Sequence, residues 1–454
     1  NYKNAEVQYQ HIQKNQGSSY SDRDPHPNEI TDEWLETLKD ENGNRIIQDE
    51  PETDAFQRKI FNGFQLGSSF GNSVSSAGDV NGDGYNDIIV GASAYSSATG
   101  RAYIFYGGIV MNSVPDVIMT GEAINNQFGF SVSSAGDVNG DGYADVIVGA
   151  MGYSTNTGRA YIYFGGANMN NAADVILTGL GVNNRFGGSV SSAGDVNGDG
   201  YADVIVGAYS YNSSTGRTYV FYGGASMNNV ADVIMTGVST NIEFGRSVSS
   251  AGDVNGDGYS DVIIGAYRFS SNTGRAYLYY GGASMNNDAD VIMTGEANSY
   301  FGFSVSPAGD INGDGFSDII IGAHLYSSFT GRAYIYFGGA SMDNVADVTF
   351  TGETAGDLFG SSVSSAGDIN GDGYSDIIIG ASGYASYTGK TYIYFGGVSM
   401  NNVSDAVFTG DEANNYFGHS VSMAGDINGD GYTDVLIGAF GYNTNTGRAF
   451  IFDY

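Results

Sequence analysis

Asp79-Val80-Asn81-Gly82-Asp83-Gly84-Tyr85-Asn86-Asp87 is the first of seven copies of one pattern, Asp-x-Asn-x-Asp-Gly-x-x-Asp. The later copies begin at Asp137, Asp195, Asp253, Asp310, Asp368 and Asp426. Successive copies therefore start 58 residues apart, except for one interval of 57 residues. A repeat of this length suits one four-stranded blade of a β-propeller with generous loops. The pattern predicts an all-β chain built from seven equivalent units.

Each copy carries the oxygen donors that Ca²⁺ prefers. The side chains at positions 1, 3, 5 and 9 and the backbone carbonyl at position 7 can surround one cation, and the glycine at position 6 allows the sharp turn. An EF-hand is excluded because its bidentate Glu at position 12 is replaced by an apolar residue, Val90 in the first copy. A turn without an ion is the alternative, but it would crowd three carboxylates together.

The sequence thus predicts seven calcium sites, one per blade. The predicted ligands are Asp79, Asn81, Asp83, Tyr85 and Asp87; Asp137, Asn139, Asp141, Tyr143 and Asp145; Asp195, Asn197, Asp199, Tyr201 and Asp203; Asp253, Asn255, Asp257, Tyr259 and Asp261; Asp310, Asn312, Asp314, Phe316 and Asp318; Asp368, Asn370, Asp372, Tyr374 and Asp376; Asp426, Asn428, Asp430, Tyr432 and Asp434.

Composition favours an extracellular or cell-surface protein. The chain of 454 residues has no Cys, and 50 acidic against 17 basic residues give a formal charge of −33. Bound calcium would stabilise the fold in place of disulfides. Nucleic acid and anionic membranes are poor partners for such an acidic surface. Neither a signal peptide nor a membrane-spanning apolar run is present, so we expect no membrane insertion. The start at Asn1 fits a processed, secreted product or a trimmed chain.

The chain divides into two regions. Residues 1–55 form an acidic N-terminal arm with 13 acidic residues, the single Trp, and one predicted short helix at about residues 32–38. Residues 56–454 carry the repeats and form the predicted propeller. Docking of the arm on another copy of the chain would link discs head to tail, which can produce a filament, whereas docking in cis would not.

Each repeat is expected to supply four antiparallel strands. In the second repeat these are residues 128–135, 145–150, 159–165 and 174–178, and the middle two are apolar on both faces, as in a sheet covered by neighbouring blades. The last repeat ends at Tyr454, after its third strand. Residues 59–62 resemble a fourth strand, so we expect them to complete the seventh blade and close the ring without an unpaired edge.

Three motif parts recur in register: the Asp-rich loop, a Gly-Ala pair after it, such as Gly91-Ala92, and a Phe-Gly opening. The Phe-Gly pairs begin at Phe70, Phe128, Phe186, Phe244, Phe301, Phe359 and Phe417. From residue 56 onward the chain therefore resembles the FG-GAP repeats of integrin alpha subunits. The resemblance implies a seven-bladed propeller with calcium loops on one face and ligand-binding loops on the other. The chain differs in having all seven calcium motifs, where integrins usually bind calcium in only some blades.

A basic residue begins every predicted third strand, and an aromatic residue lies six positions before it. The basic residues are Arg101, Arg159, Arg217, Arg275, Arg332, Lys390 and Arg448. The aromatic residues are Tyr95, Tyr153, Tyr211, Phe269, Tyr326, Tyr384 and Tyr442. We expect the basic residues to pair with a nearby acid, such as the fourth-strand Asp, or with carbonyls of the adjacent blade. We expect the aromatics to pack against the next blade. The alternatives are a cation ring for anionic ligands and a rim that stacks on sugars.

Two functions are compatible with these features. The first is a calcium-stabilised extracellular adhesion or structural module that binds proteins or copies of itself, through its N-terminal arm in the latter case. The alternative is a calcium-dependent carbohydrate-binding propeller, with glycans as partners. No enzymatic activity is expected, because the four His residues do not recur and no catalytic motif is present.

Overall fold

Each repeat forms one four-stranded antiparallel sheet, and seven such sheets make up the blades of a β-propeller. The computed structural model describes residues 56–454. The predicted fold class is therefore confirmed, while the arm and its predicted helix at residues 32–38 lie outside the described residues.

The first two strands of each blade flank the Asp-rich loop. The first strands are β2 (Phe70–Gly78), β6 (Phe128–Gly136), β10 (Ser189–Gly194), β14 (Ser247–Gly252), β18 (Ser304–Gly309), β22 (Phe359–Gly367) and β26 (Ser420–Gly425). The second strands are β3 (Asp87–Ala92), β7 (Asp145–Ala150), β11 (Asp203–Ala208), β15 (Asp261–Ala266), β19 (Asp318–Ala323), β23 (Asp376–Ala381) and β27 (Asp434–Ala439). Every residue of the second strands is buried, because both faces of the sheet are covered by other blades.

The third and fourth strands lie farther from the axis. The third strands are β4 (Arg101–Phe105), β8 (Arg159–Tyr163), β12 (Arg217–Phe221), β16 (Arg275–Tyr279), β20 (Arg332–Tyr336), β24 (Lys390–Tyr394) and β28 (Arg448–Asp453). The fourth strands are β5 (Val117–Thr120), β9 (Val175–Thr178), β13 (Val233–Thr236), β17 (Val291–Thr294), β21 (Val348–Thr351), β25 (Ala406–Thr409) and, for blade 7, β1 (Gln57–Asn62).

Strand β1 closes the ring as predicted. It pairs antiparallel with β28 along its whole length, from Gln57 opposite Asp453 to Asn62 opposite Arg448. A parallel bridge between Phe70 and Gly447 joins blade 1 to blade 7 in the same way that Gly100 and Phe128 join blades 1 and 2. The two ends of the propeller are therefore joined by the same contacts as neighbouring blades.

The Phe-Gly and Gly-Ala motifs meet across each boundary between blades. A Cβ atom on Gly91 would collide with the carbonyl oxygen of Gly129 in the next blade, so only glycine permits this approach. Phe128 is 1% exposed and lies in a cluster with Ile89 and Met119 of the preceding blade. The hydrophobic core is accordingly distributed between blades, and a single repeat cannot bury its own apolar faces.

The antiparallel order places the connections on two faces. The Asp-rich loops join first to second strands and lie on one face, whereas the loops before the third strands and between blades lie on the other. The loops before the third strands contain left-handed turns in which three consecutive residues have positive φ, as at Ser96, Ser97 and Ala98. The turns are Tyr95–Ala98, Tyr153–Asn156, Tyr211–Ser214, Phe269–Asn272, Tyr326–Phe329, Tyr384–Tyr387 and Tyr442–Asn445.

Candidate metal sites and the opposite face

The side chains of each Asp-rich loop organise their own backbone. In the first loop, Asp79 Oδ1 accepts hydrogen bonds from the N–H groups of Gly82 (2.7 Å) and Asp83 (3.1 Å), and Asp79 Oδ2 accepts one from Gly84 (2.9 Å). Asn81 Nδ2 donates to Asp83 Oδ2 at 2.9 Å, and Asp83 Oδ1 accepts from the Tyr85 N–H at 3.0 Å. The carboxylates at positions 1 and 5 and the amide at position 3 are thus held within one tight turn.

Asp87, at position 9, is fully buried at the start of β3. Its two carboxylate oxygens accept hydrogen bonds from the N–H groups of Val80 (2.9 Å) and Gly107 (2.8 Å). The pKa of its carboxyl is raised to about 7, chiefly because burial removes water from the charged form, and Asp83 and Asp79 add to the shift. A buried carboxylate beside two others gains stability from a cation, so its environment favours a metal at this place.

Each Asp-rich loop also contacts the next blade. The backbone carbonyl of Asp79 accepts a hydrogen bond from Ala144 of blade 2 at 3.0 Å, and that of Val80 accepts one from Gly166 at 2.7 Å. The Tyr143 ring of blade 2 covers Gly82, where any Cβ atom would overlap the ring. The aromatic residue at position 7 therefore packs on the preceding loop, a role that the loop pattern alone does not indicate, because the metal motif uses only the carbonyl of this residue.

The seventh loop differs from the other six. Within the described residues the buried Oδ1 of Asp434 has no hydrogen-bond partner, whereas Asp87 Oδ1 accepts a bond from the Gly107 N–H. Asp453, at the end of β28, stands where Tyr106 stands in blade 1. Burial raises the pKa of its carboxyl and the Asp430 charge adds to the shift, while burial and the Asp453 charge both raise the pKa of Asp434. The seventh loop therefore has an additional carboxylate beside it, from β28.

The donors of these loops fit a hard divalent cation. Across residues 56–454 no three His, Cys, Asp or Glu side chains are already gathered as a metal-binding cluster, since the loop carboxylates face backbone N–H groups. A carboxylate oxygen that accepts one N–H bond keeps a second lone pair, so a loop can hold its shape and still bind an ion. In the first loop Asp79, Asn81, Asp83, Asp87 and the Tyr85 carbonyl would hold it, as the sequence predicts.

On the opposite face, every basic residue at the start of a third strand lies over the aromatic ring six positions earlier. The Arg217 guanidinium carbon is 3.8 Å from the Tyr211 ring centroid, and the Lys390 nitrogen is 4.6 Å from that of Tyr384. Arg217 Nε also donates to Thr236 Oγ1 of the fourth strand at 3.0 Å. Each of these aromatic rings therefore contacts a cation of its own blade, and packing of the rings against the next blade stays a prediction.

Four of these cations pair with a nearby acid, as expected, but that acid is not the fourth-strand Asp. Arg159 bonds Glu122 (2.7 Å) and Arg332 bonds Glu296 (2.8 Å), both in loops that lead from the preceding blade. The fourth-strand Asp has another role, because Asp174 Oδ2 accepts a hydrogen bond from the Phe164 N–H at 2.8 Å. This contact explains why β8 and β9 are shorter than the predicted strands.

The recurrence of this geometry defines a propeller of one repeat type. The family model for the FG-GAP repeat matches residues 70–105, 128–163, 186–221, 244–279, 301–336, 359–394 and 417–452. These seven segments of 36 residues make up 252 of 454, more than half of the chain. The chain belongs to the FG-GAP repeat family.

The curated relatives are integrin alpha subunits. The chain is 38% identical to integrin alpha-5 of Xenopus laevis over 160 residues, which are 32% of this chain and 15% of that protein. It is 34% identical to integrin alpha-6 of Gallus gallus over 158 residues, 33% of this chain and 14% of the relative. The matched region thus spans about one seventh of each relative. Among residues 56–454, no helix is long and apolar enough to cross a membrane.

Proposed function

We propose that this chain is an extracellular, calcium-stabilised adhesion module that binds proteins, including copies of itself through its N-terminal arm. The observation that carries the proposal is the register of seven FG-GAP repeats in one closed ring. Relatives named integrin alpha subunits support a protein-binding role. The carbohydrate-binding alternative is taken no further, because the comparisons give it no support and the rim aromatics are stacked under cations.

Calcium would act in this module as a staple between blades. The loop backbone that accepts hydrogen bonds from the next blade is the same backbone that the Asp79 carboxylate organises. An ion held by Asp79, Asn81, Asp83 and Asp87 would neutralise their mutual repulsion and stiffen that joint. Seven similar loops favour this structural role over a switch.

Native mass spectrometry tests the calcium part of the proposal. We expect up to seven bound ions in excess calcium and six in Asp83→Asn, which removes one loop carboxylate but keeps the shape of the side chain. Asp116→Asn is the matched control, because the Asp116 carboxylate lies outside the loop and accepts a hydrogen bond from the Tyr106 N–H. Chelation should also lower the melting temperature sharply. An unchanged melt in excess EDTA, or an equal ion count in both variants, would contradict the proposal.

Sedimentation velocity tests self-association. In calcium the full chain should form larger species as its concentration rises, whereas residues 56–454 alone should remain monomeric. Identical behaviour of the two proteins would remove the arm from the proposal and leave binding of other proteins to be sought on the propeller.

A further inference from the structure

The propeller contains few cations, and their placement is not random. Ten basic residues lie between Gly63 and Tyr454, and seven of them are the stacked residues that begin the third strands. The other three, Arg185, Arg246 and Arg268, occupy unrelated positions of the repeat. All three line one surface pocket of about 620 Å³ on the face opposite the Asp-rich loops.

Aromatic rings hold these guanidinium groups at the pocket wall. Arg185 Nη1 donates to the Tyr209 hydroxyl at 2.9 Å, and the Arg246 guanidinium lies 5.4 Å from the Tyr209 ring and 5.3 Å from Phe303. Arg268 lies 5.4 Å from the Tyr267 ring. Because a ring orients a guanidinium without neutralising it, the positive charge remains available.

One acid in the pocket offsets part of this charge. Glu243 is 9% exposed, and its Oε1 bonds Arg268 at 3.1 Å while its Oε2 accepts the Tyr267 hydroxyl at 2.8 Å. Both oxygens of Glu243 are thus occupied by one side of the pocket. Within residues 56–454 neither Arg185 nor Arg246 forms an ion pair with a carboxylate. With three arginines against one glutamate, the pocket carries a net positive charge in a chain of formal charge −33.

We propose that this pocket, the arginine pocket, binds a carboxylate presented by an acidic side chain of a protein partner. The planar forks of Arg185 and Arg246 match the two oxygens of a carboxylate, and Arg268 stays anchored to Glu243. The inference rests on the proposed function, because it assumes that the partner is a protein.

The charge distribution favours an isolated carboxylate over an extended polyanion. Electrostatic interactions are screened beyond about 8 Å at physiological salt, so one acidic side chain in the pocket would interact mainly with the three arginines. A polyuronate would run beyond the pocket across a strongly acidic molecule and be repelled. A protein loop with a single acidic residue therefore suits the site better than an acidic polysaccharide.

NMR of the arginine Nε–H groups in the calcium-loaded full chain tests this inference directly. The probes are a Gly/Ser peptide with one central Glu, the same peptide with Gln in its place, and trigalacturonic acid. We expect the Glu peptide to shift the signals of Arg185 and Arg246 in a saturable way and the Gln peptide to leave them unchanged. Arg246→Gln should weaken binding about tenfold or more, since hydrogen bonds to charged groups are strong.

Arg217→Gln is the matched control, because it removes one positive charge from the same face outside the pocket. It should leave the affinity for the Glu peptide unchanged. Gln at position 246 should be tolerated, since other blades have Asn72 or Ser361 there, and Arg185→Gln is a second, independent variant. Equal shifts with both peptides, an equal loss in Arg217→Gln, or tighter binding of trigalacturonic acid would overturn the inference. A natural protein partner that binds wild type and Arg246→Gln equally would also overturn it while leaving the proposed function standing.

Discussion

Phe61→Ala tests how the ring is closed. Phe61 is 1% exposed in β1, its ring centroid lies 4.7 Å from that of Phe105 in blade 1, and its cluster includes Leu436 and Ile451 of blade 7. Truncation of a buried Phe costs about 3–5 kcal/mol, through lost burial and the cavity that remains. We expect a loss of about 4 kcal/mol in the free energy of unfolding from urea denaturation.

Phe350→Ala is the matched comparison. Phe350 occupies the equivalent place in β21, is also 1% exposed, and lies 4.4 Å from the ring of Tyr394 in the next blade. Both variants should lose a similar free energy of unfolding, but only Phe61→Ala should speed amide exchange along β28, whose pairing partner is β1. If Phe61→Ala cost less than about 1 kcal/mol while Phe350→Ala cost 3–5 kcal/mol, closure through β1 would be refuted.

Three further predictions follow from the sites. Arg217→Ala should lower the free energy of unfolding by about 1–2 kcal/mol in thermal or urea melts, because its stack on Tyr211 and its hydrogen bond to Thr236 are lost. An unchanged free energy of unfolding would show that these contacts do not stabilise the fold. In EDTA, the melting temperature should fall as pH rises from about 4 to 7. The folded-state pKa of Asp87 is raised to about 7, so over this range the unfolded chain loses the Asp87 proton while the folded chain keeps it, and the free energy of unfolding decreases. A melting temperature that rises over this range would contradict the raised pKa. Asp453→Asn should weaken one calcium site in a competition titration, because it removes a negative charge beside Asp434 of the seventh loop. Unchanged affinities at all sites would exclude Asp453 as a contributor to calcium binding.

The repeated features could be predicted because each occurs seven times in register. The Asp-rich loops, Phe-Gly openings and apolar strands together indicate a propeller, and the register of residues 59–62 with the fourth strands identifies them as the closing strand, which pairs with β28. The partners of the rim cations could not be predicted with the same certainty. A spacing of six residues does not reveal the left-handed turn that places Tyr211 beneath Arg217.

The number of blades, the position of each Asp-rich loop and the strand that closes the ring follow from the spacing of residues along the chain. These depend on local spacing, and a period repeated seven times leaves little freedom in strand register. The contacts of Gly91 with Gly129 and of Tyr143 with Gly82 become visible only in the folded chain. Folding also brings Arg185, Arg246 and Arg268, from three unrelated positions of the repeat, into one pocket. Such contacts depend on how neighbouring blades pack, and the periodicity within a single blade does not encode them.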